Sequence, residues 1–148
     1  MPTHAEKRRM PYQPRELFDL VADIERYPEF LPWCLAARIR RREGKTVTAD
    51  LAVGFKMVRE RFTSRVVLHD EADQHLRIDV SYIDGPFKYL NNHWLFLPDE
   101  QGCLLDFYVD FEFRSRLLQK VMQPLFNEAV RRMVGAFEGR AKELYGKG

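Results

Sequence analysis

The sequence predicts an α+β protein, a curved antiparallel sheet wrapped around one long C-terminal helix, and three observations predict it. Between Leu117 and Tyr145 apolar residues recur in steps of three or four, from Leu118 and Met122 through Met133 and Phe137 to Leu144. That is the repeat of one buried helical face. From about residue 34 to residue 113 the chain instead alternates apolar and polar side chains with a period of two, the mark of strands with one face buried and one wet. The turns between these runs are short, which pairs neighbouring strands antiparallel. The helix stripe then has only the sheet to bury against.

In chain order, residues 3 to 10 are polar and basic and suggest a short edge strand. Pro14 opens a first helix at the position where its missing N–H costs nothing, with Leu17, Phe18, Leu20 and Val21 on one side. Asp23 begins a second short helical piece, broken by Pro28 and stopped by Pro32. Six strands follow. Their inward sets begin with Leu35, Ala37 and Ile39, then Val47, Ala49, Leu51 and Val53. The third runs from Val58 to Leu68, with Phe62 and Val66 inward. Leu76, Ile78, Val80 and Tyr82 make the fourth. Leu90, Asn92, Trp94 and Phe96 share one parity in the fifth, and Leu105, Phe107, Val109, Phe111 and Phe113 in the sixth. Gly44, Gly54, Asp84-Gly85-Pro86 and Gly102 punctuate them. Ser115 caps the long helix, Gly146 ends it, and Pro124 kinks it.

A chain of 148 residues is one domain by size. Hydrophobic residues make up 45% and aromatics 13%, enough for a sizeable core and unlike a disordered chain. Lys and Arg number 24 against 22 Asp and Glu, without the basic excess of a dedicated nucleic-acid binder, so no DNA partner is expected. Cys34 and Cys103 are too few and too far apart for a disulfide framework or a zinc site, which suits a reducing cytoplasm. The N-terminus does not read as a signal peptide, and no apolar run reaches bilayer-spanning length.

Catalytic motifs are absent: no G-x-S-x-G, no H-E-x-x-H and no glycine-rich phosphate loop. His69 and His75 flank a turn and His93 faces away from Trp94, so no metal site is expected. Glu60, Ser64 and Asn92 are polar residues with inward parity. Each is either an anchor for a ligand head group in an apolar pocket or a sign of a register shift. The turns Gly54-Phe55-Lys56 and Gly85-Pro86-Phe87-Lys88 each set a phenylalanine beside a lysine. Such a pair either docks on a membrane, ring in the acyl boundary and ammonium on phosphate, or folds its ring inward as a cap on the core.

The run MPYQPRELFDLVADIERYPEFLPWC, the turn VGF, the segment RERFTSRV, the loop DGPFKYLNNHWLF, the strand DFYVDFEF and the ending MVGAFEGRAKELYG together resemble the START-type coenzyme Q-binding family, also described as polyketide cyclase/dehydrase-like. A bacterial ribosome-association toxin subfamily is related. The likeness spans about Met10 to Gly146. It implies the helix-grip fold, a seven-stranded antiparallel sheet gripping the C-terminal helix around a hydrophobic tunnel. It also implies binding of ubiquinone or a similar isoprenoid lipid for respiration or quinone biosynthesis, with the quinone as carried ligand, no cofactor and no catalysis. The protein is then expected in the cytoplasm, peripheral to the inner membrane. Tail-binding residues are expected on the helix (Leu118, Met122, Leu125, Phe126 and Met133) and on the inner sheet (Val53, Phe62, Val66, Val80, Trp94, Phe107 and Val109). Phe55, Lys56, Phe87 and Lys88 are expected at the gate, touching a membrane transiently. The alternative is a ribosome-association toxin that blocks subunit joining, with Arg38, Arg40, Arg41 and Arg42 on RNA. A cyclase is disfavoured, since no acid/base pair is visible in the cavity pattern.

Overall fold

The computed structural model describes residues 3–31, 33–55, 58–71 and 75–146, with the backbone alone at positions 55 and 58. Strand β1 (Thr3–Met10) leads into helix α1 (Pro14–Ala22) and a 3-10 turn (Ile24–Glu29). Six strands follow: β2 (Cys34–Glu43), β3 (Thr46–Phe55), β4 (Val58–His69), β5 (Leu76–Asp84), β6 (Phe87–Asp99) and β7 (Gly102–Phe113). Helix α2 (Arg116–Met122), a 3-10 turn (Gln123–Leu125) and helix α3 (Phe126–Tyr145) close the chain.

The strands form one seven-stranded sheet in the order β1-β7-β6-β5-β4-β3-β2, and every neighbouring pair is antiparallel. This is the helix-grip, START-like architecture the sequence predicts. Only the step from β1 to β2 leaves the meander. The chain between them crosses from one edge of the sheet to the other, and carries α1 and the first 3-10 turn across the concave side. Helix α1 packs on α3 and on β5, β6 and β7, and the 3-10 turn packs on β2.

Local chemistry sets the helix ends. At α1, Gln13 and Glu16 form a capping box and Pro14 takes the first turn. The N–H of Leu118 donates to the Ser115 hydroxyl at 3.1 Å, the cap that starts α2. Pro124 does more than kink the long helix. It splits it, because the 3-10 turn it occupies lacks a backbone donor there. Beyond that turn α3 buries Phe126, Val130, Val134, Phe137 and Ala141, the stripe that faces the sheet. Gly146 ends α3 in an extended conformation, φ −68° and ψ 144°, so it is not a left-handed cap.

Two irregularities revise inward assignments. The β2–β3 register shifts between Cys34 and Ala36, so Cys34 is buried while Leu35, expected inward, is 50% exposed. The β6–β7 register shifts between Phe87 and Tyr89, so Phe87 points inward although its parity opposes that of Leu90. A bulge adds one residue and flips every side chain before it to the other face.

The turn from β5 to β6 depends on Gly85, whose φ of +142° is a region that residues with a Cβ rarely enter. A Cβ there would stand 2.7 Å from the Phe62 Cβ and 3.0 Å from the Arg61 carbonyl oxygen. Gly85→Ala is expected to lower the unfolding free energy by about 2 kcal/mol or more, read from a urea titration. An unchanged midpoint would show that the turn relaxes freely.

Candidate functional site

The concave face of the sheet and the helices leave a cavity of about 220 Å³ between them. Each wall follows from the elements just described. The sheet supplies Phe62 and Val66 from β4, Val80 from β5, Trp94 from β6, and Phe107 and Val109 from β7. The helices supply Met122, Phe126, Ala129 and Met133. Nine of the twelve residues expected to bind the tail, those just named apart from Ala129, therefore line the cavity. Val53, Leu118 and Leu125 do not. Val53 is half-buried near the end of β3, and Leu118 and Leu125 pack against the core beside the cavity.

The wall also contains residues the sequence reading missed. Ile24, Tyr27, Leu31 and Trp33 come from the segment between α1 and β2. In that short helical piece Ile24, Tyr27 and Leu31 stand at i, i+3 and i+7, the spacing of one helical face, and this spacing with the forced path across the sheet could have indicated them. Arg140 of α3 fixes this segment from outside. Its guanidinium lies 2.7 Å from the Glu29 carboxylate and 5.3 Å from the centre of the Phe30 ring.

The polar groups of the wall are few, and the buried Trp33 indole N–H has no hydrogen-bond partner among the described residues. The Asn92 amide donates to the Tyr108 carbonyl at 2.8 Å and accepts from the Trp94 indole at 2.9 Å. The Tyr27 hydroxyl donates to the Val21 carbonyl, and burial pushes its pKa upward. Ser64 is the one buried polar residue of the described core, 1% exposed, and faces the same space. So Ser64 and Asn92 are inward as their parity predicts. Glu60 lies nearer the strand end opposite Val53, half-buried and outside the lining. No Asp, Glu, Lys, Arg or His is among the described lining residues. The space offers apolar contact and a little hydrogen bonding, in which a hydrocarbon chain or an aromatic or quinonoid ring is the natural guest.

The gate residues divide. Lys56 and the side chain of Phe55 lie outside the described residues. Phe87 is not at a surface. It is 6% exposed and sits among the rings of Phe62, Tyr82, Phe111 and Phe113, with centroids 4.8 to 5.5 Å away. The expectation that Phe87 docks on a membrane is corrected: the bulge before Tyr89 turns its ring inward, where it caps the core. Lys88 is exposed, but its ammonium pairs with Glu112 at 3.1 Å.

The two free thiols are buried at the starts of β2 and β7, outside the cavity wall. Burial pushes each from an ordinary pKa of 9.0 up to about 11. A folded-state value above the unfolded one favours folding only while the thiol stays neutral. That contribution is complete below about pH 9 and is lost as pH climbs toward 11. The melting temperature is therefore expected to fall across this window, and Cys34→Ala with Cys103→Ala to flatten the fall. A slope unchanged in the double variant would assign it to other groups. Among the described residues no group of three His, Cys, Asp or Glu is placed to hold a metal ion, and no helix is long and apolar enough to cross a membrane.

Residues 10–138 match the family described as polyketide cyclase / dehydrase and lipid transport. The chain belongs to that family. Within it and its relatives, the chain is 42% identical over 135 residues to the ribosome association toxin RatA of Rickettsia prowazekii, covering 91% of this chain and 92% of that protein. It is 33% identical to the mitochondrial coenzyme Q-binding protein COQ10 homolog B of Xenopus laevis, over 97% of this chain and 59% of that longer protein. The solution structure of an 18 kDa protein from Caulobacter crescentus superposes with a TM-score of 0.78 at 38% identity, over 99% of this chain and 100% of that one. The relatives this chain is similar to are thus named for quite different roles.

Proposed function

We propose that this protein is a non-enzymatic carrier that holds ubiquinone or a similar isoprenoid lipid in its cavity and delivers it for respiration or quinone biosynthesis. The observation that carries the reading is the wall itself, apolar side chains with a few polar groups and, among the described lining residues, no ionisable acid/base couple. The name of the coenzyme Q-binding relative supports it. A drug-sized ligand takes about 300–1,000 Å³, so a cavity of about 220 Å³ encloses only part of such a molecule, and a long tail must emerge through an opening. Burial gains about 25 cal/mol per Å² of apolar surface, and most of this is returned when the ligand meets a bilayer. That balance makes the binding reversible. The carrier would work in the cytoplasm, peripheral to the inner membrane.

The test is direct. Organic extraction of the purified protein and mass spectrometry should show an isoprenoid quinone. A short-chain ubiquinone analogue should quench tryptophan fluorescence, because both tryptophans, Trp33 and Trp94, line the cavity. A folded protein that yields no quinone and shows no quenching would sink the carrier reading.

A second reading has its own observation. Strand β2 is an edge of the sheet and carries Arg38, Arg40, Arg41 and Arg42, all exposed. Arg40 pairs with Asp50 at 3.1 Å and Arg41 with Glu43 at 3.2 Å. An arginine-rich edge strand suits RNA phosphate, and relatives named ribosome association toxin are 42% and 38% identical to this chain over the matched residues. If ribosome binding is the function, the parent co-sediments with ribosomal subunits in a salt-sensitive way, and Arg38, Arg40 and Arg42 changed together to Ser abolish it. The carrier reading expects no co-sedimentation at physiological salt.

A further inference from the structure

Helix α2 is apolar on both sides. Its inward residue Met122 lines the cavity. On the outside, Leu117 is 74% exposed and Val121 43%, four residues apart and so stacked on one face. A single exposed leucine is ordinary, but two large apolar residues on one two-turn helix are not. Ile83, 43% exposed, lies at the same end of the sheet, just before the turn into β6, whose first residue pairs with Phe113.

The charge on this helix and its flanks has one sign. From Arg114 to Asn127 the chain carries Arg114, Arg116 and Lys120 and no acidic residue, in a protein whose formal net charge is only +2. Arg59 and Arg61 are exposed on β4 at the same end. Against them stand Asp84, the half-buried Glu60, and Glu112, which Lys88 already pairs. The Ser115 cap and the Pro124 turn separate α2 from its neighbours.

We propose that the outer face of α2 docks on an anionic lipid bilayer, with Leu117 and Val121 entering the acyl boundary and Arg116 and Lys120 meeting lipid phosphates. Mixed apolar and cationic residues without acids are what an interfacial helix needs. RNA phosphate would use the cations but leave the two apolar side chains without a role. A protein partner of ordinary interface size covers about 800 Å² per side, more than the outer face of a helix about 10 Å long presents. The proposal rests on the carrier reading and extends it: the helix that meets the bilayer is also a wall of the cavity, so an apolar ligand reaches the membrane without crossing water.

The experiment floats the ligand-free protein with vesicles of mixed phosphatidylglycerol and phosphatidylcholine and with vesicles of phosphatidylcholine alone. Two variants accompany the parent: Leu117→Gln with Val121→Gln, and Arg116→Gln with Lys120→Gln, glutamine being kept for its helix propensity. Thermal melts check folding, and quenching by the short-chain ubiquinone analogue, measured without vesicles, reads the cavity separately. The parent should float with the anionic vesicles, each double variant should bind them about tenfold more weakly or worse, and quenching should be the same in all three. If the parent binds the analogue yet does not float, docking is overturned and the carrier reading stands. Unaltered flotation of the Leu117/Val121 variant overturns insertion, and so does ribosome co-sedimentation that depends on Arg116 and Lys120 alone, which assigns the face to RNA. Absence of quenching in the parent overturns the carrier reading and the proposal built on it.

Discussion

Ala129→Phe is expected to abolish ligand binding while the protein stays folded. Ala129 lines the cavity between Phe126 and Met133, on a helix whose other inward residues are already packed. A phenyl ring at this position has about 220 Å³ of empty space to enter, so it fills a void rather than displacing a neighbour. Filling a void adds contacts that the native protein lacks, so the melting temperature should hold or rise. The ligand competes for the same space and should lose at least about tenfold in affinity, or about 1.4 kcal/mol. Val66→Trp offers an independent second test. Val66 sits in mid-strand opposite Val47 and Val80, 5% exposed, and the larger ring should cost about 1–3 kcal/mol of stability by overpacking while blocking the same cavity. Fluorescence quenching and thermal melts on both variants decide the matter. Folded variants that bind the ubiquinone analogue as well as the parent does would place the binding site elsewhere.

Phe87→Ser is expected to produce the largest loss of stability of any change considered. The ring is buried, stacked on Phe113 with centroids 4.8 Å apart and edge-on to Phe62, Tyr82 and Phe111. Its backbone N–H also donates to the Tyr82 hydroxyl at 3.1 Å. Truncating such a residue costs about 3–5 kcal/mol, and the buried serine hydroxyl adds to that. For a chain of this size the melting temperature should fall by on the order of 10 °C. Vesicle binding per folded molecule should not change, since the ring does not reach the surface. A variant that melts like the parent but no longer floats with vesicles would restore Phe87 to the membrane gate.

The sequence by itself determined the architecture of this protein. Period-two alternation and short turns carry the pairing of neighbouring strands, and the stripe on α3 carries the face that meets them, because side-chain direction follows directly from backbone period. Ser115, Pro14 and Gly85 marked their element ends for equally local reasons. Most of the cavity wall was legible by the same rule, since Phe62, Val66, Val80, Trp94, Phe107 and Val109 simply hold inward parity. Tertiary structure alone decided the rest. Whether two apolar surfaces close into a solid core or leave about 220 Å³ between them depends on the curvature of seven strands, which no single strand encodes. The bulges at Cys34/Ala36 and Phe87/Tyr89 bury Phe87 and expose Leu35 against their parity, because an extra residue in one strand is registered only against its partner. The stretch from Ile24 to Trp33 became cavity wall because the chain must cross from one edge of the sheet to the other. Leu117 and Val121 continue the apolar character of their helix, and only the packed fold shows that they stay exposed.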